Sequence, residues 1–173
     1  MKVNVAQVRR NENETAHFNL EEEFSSYESE LEGVSFAAPV RVQLQVTNLG
    51  KSLHVQGKVQ TKFKTQCGRC LDDFIYPLDL SYEDEWVYGG MAQDTDDGEL
   101  SETVLVFDKD EIEINDRIFE QIVLALPMRF ICSPECLGLC PVCGVNRNHT
   151  TCECVIEQTD PRLAALAQWS KRD

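Results

Sequence analysis

Residues 40–66, VRVQLQVTNLGKSLHVQGKVQTKFKTQ, alternate apolar and polar side chains along almost their whole length. That is the period of a strand with one buried and one wet face, and it runs on both sides of the turn-forming Asn48-Leu49-Gly50. In the first run Val40, Val42, Leu44 and Val46 share a face. In the second, Ser52 to Gln66, Leu53, Val55, Val59 and Phe63 point one way, and His54, Gln56, Lys58, Gln60, Lys62, Lys64 and Gln66 the other. The two runs predict a hairpin whose wet face is cationic and rich in amides.

Outward from this hairpin, Phe74 to Trp86 reads as a third extended run despite Pro77, so Cys67-Gly68-Arg69-Cys70 falls at the second connection of a meander. Val104 to Phe107 and Glu111 to Ile114 are short strand candidates. Asp116 is placed to cap a helix from Arg117 to Leu126, with Ile118, Phe119, Ile122, Val123 and Leu126 as its apolar face and Pro127 as its stop. Asp160 before Pro161 starts a second helix carrying Leu163, Leu166 and Trp169, and residues 1–24 read as weakly strand-like. The fold class expected is therefore α+β. It is an antiparallel β meander able to curl towards a barrel, with one or two helices and a cysteine-rich, zinc-binding C-terminal segment. Residues 1–130 form the mainly β domain, with an acidic loop at 91–102 and the helix at 116–126. Residues 131–173 hold the cysteines and the last helix, packed on the first part as one structural unit.

The chain has 173 residues, 42% hydrophobic and 27% charged, which suits one ordinary domain. Its formal net charge of -14 works against an all-over attraction to nucleic acid or anionic lipid. Any RNA contact must then be local, and the charge is indeed segregated. Residues 33–71 carry six basic and no acidic side chains, whereas residues 72–120 carry two basic and seventeen acidic. The longest apolar run, Ile122 to Met128, falls far short of the ~20 residues of a membrane span, and Met1 to Arg10 has no apolar signal core. A soluble, cytoplasmic protein without a membrane partner is expected.

Eight cysteines in such a chain point to metal before disulfides, because the cytosol keeps ordinary thiols reduced. They form four close pairs: Cys67 and Cys70, Cys132 and Cys136, Cys140 and Cys143, Cys152 and Cys154. Structural zinc takes four thiolates in a tetrahedron, and pairs two or three residues apart can present both sulfurs from one turn. In Cys140-Pro141-Val142-Cys143-Gly144 the glycine lets the chain curl so that backbone amides face the sulfurs. Eight thiolates make two sites. The economical partition by chain distance gives Cys140, Cys143, Cys152 and Cys154 one ion and Cys67, Cys70, Cys132 and Cys136 the other, tying the meander to the segment after the helix. The partition of Cys132, Cys136, Cys140 and Cys143 against Cys67, Cys70, Cys152 and Cys154 also satisfies the spacing. Each ion would contribute on the order of 10 kcal/mol to folding, and a closed four-thiolate shell leaves no position for a reactive water. An iron–sulfur cluster uses the same ligands, but the spacing fits neither common ferredoxin run.

The residues Cys67-Gly68-Arg69-Cys70-Leu71, Leu124-Ala125-Leu126-Pro127-Met128, Cys132-x3-Cys136-Leu137-Gly138-Leu139-Cys140-Pro141-Val142-Cys143-Gly144-Val145-Asn146-Arg147-Asn148, Cys152-x-Cys154 and Asp160-Pro161-Arg162-Leu163-Ala164-Ala165-Leu166 resemble the YceD-like family of large ribosomal RNA subunit accumulation proteins. In order and spacing the resemblance covers roughly residues 36–169. It implies a bacterial or organellar factor needed for normal levels of large-subunit (23S) ribosomal RNA, acting in ribosome assembly and without catalytic activity.

Charge offers two ways of acting. Lys58, Lys62 and Lys64, with Arg41, Lys51 and Arg69, would set RNA phosphates on one sheet face while glutamines reach sugars or base edges. The same pattern also serves as a solvated strand face with lysines guarding an edge, and no exposed aromatic pair stands beside it as a stacking platform. Alternatively, Asp94, Asp96, Asp97 and Glu99 would stand in for phosphate, making the chain an adaptor or holding factor for a basic large-subunit ribosomal protein. A thiol redox enzyme is argued against by the six further thiols and by Cys67 following a strand. His17, His54 and His149 are scattered without an acid or nucleophile at a recognisable spacing, so no enzyme is expected; His149 could replace a thiol as ligand.

Overall fold

A computed structural model describes residues 1–89 and 104–154. The acidic loop at 91–102 and the helix expected from Asp160 lie outside these residues. The alternating stretches are the centre of the fold. Strand β4 (Val40–Asn48) pairs antiparallel with β5 (Leu53–Gln66), which pairs along its whole length with β6 (Asp73–Tyr88). The other strands are β1 (Lys2–Asn4), β2 (Thr15–Glu22), β3 (Val34–Phe36), β7 (Val104–Phe107) and β8 (Glu111–Glu113). The main sheet runs β2-β4-β5-β6-β7, with β3 continuing beside β5 where β4 leaves off, and β1 and β8 form a separate antiparallel pair. Among the described residues the sheet stays open and does not close into a barrel. It is also mixed. β7 runs parallel to β6, which needs a crossover of a dozen or more residues, and residues 89–103 supply that length. Because β7 reaches only Glu85 to Tyr88, no described strand covers the outer edge of β6 at Pro77, so the missing N–H breaks no ladder.

Burial follows the alternation. Every second residue of β5, from Leu53 to Thr65, is buried, and the intervening ones are exposed apart from the half-buried His54. Gly57 breaks the apolar series for a reason: the Tyr82 ring, directly opposite on β6, fills the place its side chain would take. Helix α2 (Asn115–Ala125) closes the same face with Ile118, Phe119 and Ile122, while Val123 turns to solvent. Its first turn differs from expectation. Asp116 lies inside the helix without capping it, and instead accepts a hydrogen bond from the Tyr27 hydroxyl at 2.5 Å. That bond, with burial second, pushes the phenol up to about 12. Arg117 clamps the helix to β6 through Asp84, whose side chain is fully buried and also accepts from the Trp86 indole at 3.1 Å. Near the N-terminus the weak strand signal resolves into β1, β2 and a short helix, α1 (Ala6–Arg10). Buried Asn48 donates to the carbonyls of Val8 and Arg9, ending α1, and accepts from the Gly50 amide.

Candidate metal centres

Strand β5 delivers Cys67 to the far end of the sheet, where Cys67-Gly68-Arg69-Cys70 makes the turn into β6. The Leu71 amide donates to the Cys67 carbonyl at 2.9 Å, and Leu71 takes a left-handed φ of +63°. At Cys140 to Cys143 the same knuckle recurs, with the Gly144 amide on the Cys140 carbonyl at 2.9 Å and φ of +73°. The chain after α2 is sewn to the first knuckle by backbone bonds from Gly68 to Phe130 (2.8 Å) and from Leu139 to Arg69 (3.0 Å). Gly138 makes the second approach possible. Its φ is +69°, and a Cβ there would lie 3.0 Å from the Arg69 carbonyl oxygen.

These contacts bring the eight thiols into two groups of four, Cys67, Cys70, Cys132 and Cys136, and Cys140, Cys143, Cys152 and Cys154, with all sulfurs of a group within 4.8 Å of one another. The alternative partition is not the one the fold assembles. All eight are free thiols. The Sγ separations of 3.9 Å between Cys67 and Cys136 and 3.7 Å between Cys70 and Cys132 are far beyond a disulfide bond. They match the edge of a zinc–thiolate tetrahedron, about 3.8 Å for bonds near 2.3 Å. The donor set and its spacing therefore fit metal, and both groups could hold an ion.

The electrostatics have the same sense. Burial pushes the Cys67 thiol up, but the amides of Cys132, Cys70 and Arg69 aimed at the sulfur bring it down to about 6. The amides of Cys143 and Val142 bring Cys140 to about 6. Cys154 goes the other way, to about 12, first because its hydrogen bond to Cys143 favours the thiol. Cys136 is lowered as well, first by its bond from Asn148, while Cys70, Cys132 and Cys152 are raised, so thiolates that form in each group oppose the ionisation of the rest, and a cation would relieve that opposition.

Four residues outside the cysteines join the two centres. Asn146, between the pairs of the second group, donates to Asp72 at 2.8 Å; Asn148 donates to the Cys136 sulfur at 3.3 Å; and Asp72 also bonds His149 at 3.0 Å. His149 is thus bound to a carboxylate and replaces no thiol. The Asn-x-Asn spacing between cysteine pairs was the available signal for this clasp, since amides commonly bond thiolates from just outside a metal site.

Of the candidate RNA-binding residues, Arg41, Lys58, Lys62 and Lys64 share the wet face of β4 and β5, whereas Lys51 and Arg69 lie beyond its two ends. Arg41 pairs with Glu21 at 2.9 Å, Lys58 with Asp79 at 3.3 Å and Lys64 with Asp73 at 4.0 Å. Lys62 faces Pro77, and Lys51 sits in the turn before β5, a strand that spans about 43 Å from Leu53 to Gln66 at the ordinary rise. Arg69 donates to the Pro134 and Cys136 carbonyls at 3.3 and 3.2 Å and so braces the first centre. Gln60 and Gln56 donate to Asp79 and Glu83. No helix among the described residues is long and apolar enough to cross a membrane.

The family described as large ribosomal RNA subunit accumulation protein YceD matches residues 55–169. An uncharacterised protein of Mycobacterium tuberculosis is 28% identical over 147 residues, covering 80% of this chain and 66% of its own length. The uncharacterised protein YlbN of Bacillus subtilis is 30% identical over 161 residues, covering 92% of this chain and 87% of its own. A chloroplastic protein of Zea mays, named large ribosomal RNA subunit accumulation protein YCED homolog 1, is 27% identical over 148 residues, or 70% of this chain and 50% of its own. The chain thus spans about two thirds of the mycobacterial relative and half of the maize one. No solved structure matches.

Proposed function

The chain belongs to the YceD family, and from that premise we propose that it is a non-catalytic factor of ribosome biogenesis, supporting accumulation of large-subunit (23S) ribosomal RNA by binding that RNA or its precursor in the cytoplasm. The observation that carries the mechanical part is the pair of four-thiol groups with tetrahedral sulfur spacing. Each group takes one zinc ion, held by Cys67, Cys70, Cys132 and Cys136 and by Cys140, Cys143, Cys152 and Cys154. Closed shells of this kind hold shape and leave no site for substrate on the metal. RNA phosphates are taken up by Arg41, Lys51, Lys58, Lys62, Lys64 and Arg69. Three of these are already matched by carboxylates, so RNA must displace Glu21, Asp79 and Asp73, and binding falls steeply with salt.

The experiment is sedimentation of the tagged protein with large-subunit precursors, comparing the natural chain with the triple variant Lys58→Glu, Lys62→Glu, Lys64→Glu. Loss of co-sedimentation and a lower level of large-subunit RNA are expected, and undiminished association would overturn the RNA contact. A second reading is favoured by the carboxylates themselves: a wet face with Asp73, Asp79 and Glu83 along β6 suits a basic large-subunit ribosomal protein. On that reading the triple variant captures such a protein at least as well as the natural chain.

A further inference from the structure

At the end of the sheet remote from the cysteines, a cleft of about 370 Å³ opens between the end of α1, the β4–β5 turn and the β6–β7 pair. Its floor is apolar and aromatic. Trp86 and Tyr88 project to one face from alternate positions of β6, and Phe107 of β7 packs against Tyr88 with ring centroids 5.7 Å apart. Arg9, Arg10 and Lys51 stand around the mouth. Arg9 is committed: its guanidinium lies 4.3 Å from the Tyr88 ring centroid and pairs with Asp110 at 3.0 Å. Arg10 and Lys51 are exposed, and among the described residues neither has a carboxylate within ion-pair distance. Glu12 lies beside Gly50 at the same mouth.

We propose that this cleft binds one nucleotide, its base against the aromatic floor and its phosphate between Arg10 and Lys51. The size falls within the range of small-ligand clefts. A flat apolar ring joined to an anion is the chemistry this floor and rim recognise together, since stacking and charge neutralisation act on different parts of one molecule. Two cations without described partners, with Glu12 close by, match a single phosphate better than a triphosphate. A free nucleoside monophosphate and an unpaired residue of single-stranded RNA share this chemistry, and the second rests on the RNA reading above.

The test is equilibrium binding of the full, metal-loaded chain to adenosine monophosphate and, separately, to a single-stranded hexanucleotide. In the double variant Arg10→Glu, Lys51→Glu, binding should weaken about tenfold or more, as should Tyr88→Ala, whereas Tyr88→Phe keeps the ring and the affinity. Monophosphate binding lost in the double variant assigns a free nucleotide; hexanucleotide binding alone, similarly lost, assigns an RNA residue. No binding of either probe at millimolar concentration, or equal affinity in the double variant, overturns the proposal. If that variant leaves precursor association intact while the β5 triple variant abolishes it, the cleft takes no part in the RNA contact and the RNA reading stands without it.

Discussion

Leu71 holds a conformation that Gly144 holds in the matching knuckle, and the two differ in cost. At φ of +63° a Cβ crowds the following carbonyl, whereas glycine at φ of +73° has none to crowd. Leu71 is also 53% exposed, so trimming it loses little burial. Leu71→Gly should therefore raise stability by about 1 kcal/mol, read as a higher denaturant midpoint with the same bound metal. An unchanged or lower midpoint would mean that the exposed leucine makes a contact of its own. Asn48 carries a similar lesson. Its place in a turn was visible from Asn48-Leu49-Gly50, but its bonds to the Val8 and Arg9 carbonyls were not, because α1 lies some forty positions away.

Strand β5 organises the neighbouring elements, and its alternation was legible because a period of two is written locally. What the pattern left open was Gly57. An alanine Cβ there would sit 2.1 Å from a ring carbon of Tyr82. Gly57→Ala should cost about 1–3 kcal/mol by forcing that ring aside, measurable by thermal or chemical unfolding. The companion change Tyr82→Ala should make Gly57→Ala tolerable, and a double variant no better than the sum of the two single losses would refute the coupling. Helix α2 was likewise expected from its apolar spacing, yet Asp116 serves Tyr27 in place of the helix end. Helix termini are decided by which partner a carboxylate can reach, and that partner is 89 positions away.

Across the whole molecule, two separate apolar clusters set how metal loss should act. The main core gathers the buried face of the sheet with Val8 of α1 and Ile118, Phe119 and Ile122 of α2, whereas Cys67, Cys70 and Cys136 form a cluster of their own with Phe74 and Ile131. Chelation should therefore unfold residues 130–154 and leave β4, β5 and β6 protected from hydrogen exchange. Purified protein should carry two zinc ions, and full unfolding on chelation would show the sheet to depend on them. Acid should act in the same direction. Cys67 and Cys140 are lowered from the ordinary thiol value of 9.0 to about 6, so their stabilisation is complete above 9 and disappears as pH falls through 6. Zinc release should come at lower pH than this, because a bound ion competes with the proton and keeps each ligating thiolate deprotonated. Charge also changes meaning at this scale. An acid-free window and an acidic stretch are segregated along the chain, but the hairpin lays Lys58 and Lys64 beside Asp79 and Asp73 and mixes the signs. The central strands, the principal helix and the pairing of thiols in metal-ligand spacing were legible along the chain, since periodicity, turn residues and thiol spacing are short-range properties. Folding in three dimensions was needed to show which cysteines come together, which cations are already matched, and that Trp86, Tyr88 and Phe107 line a cleft with Arg10 and Lys51. Those outcomes depend on chain segments that meet from many tens of positions apart, as Cys70 and Cys132 do across 62, and no local pattern carries that distance.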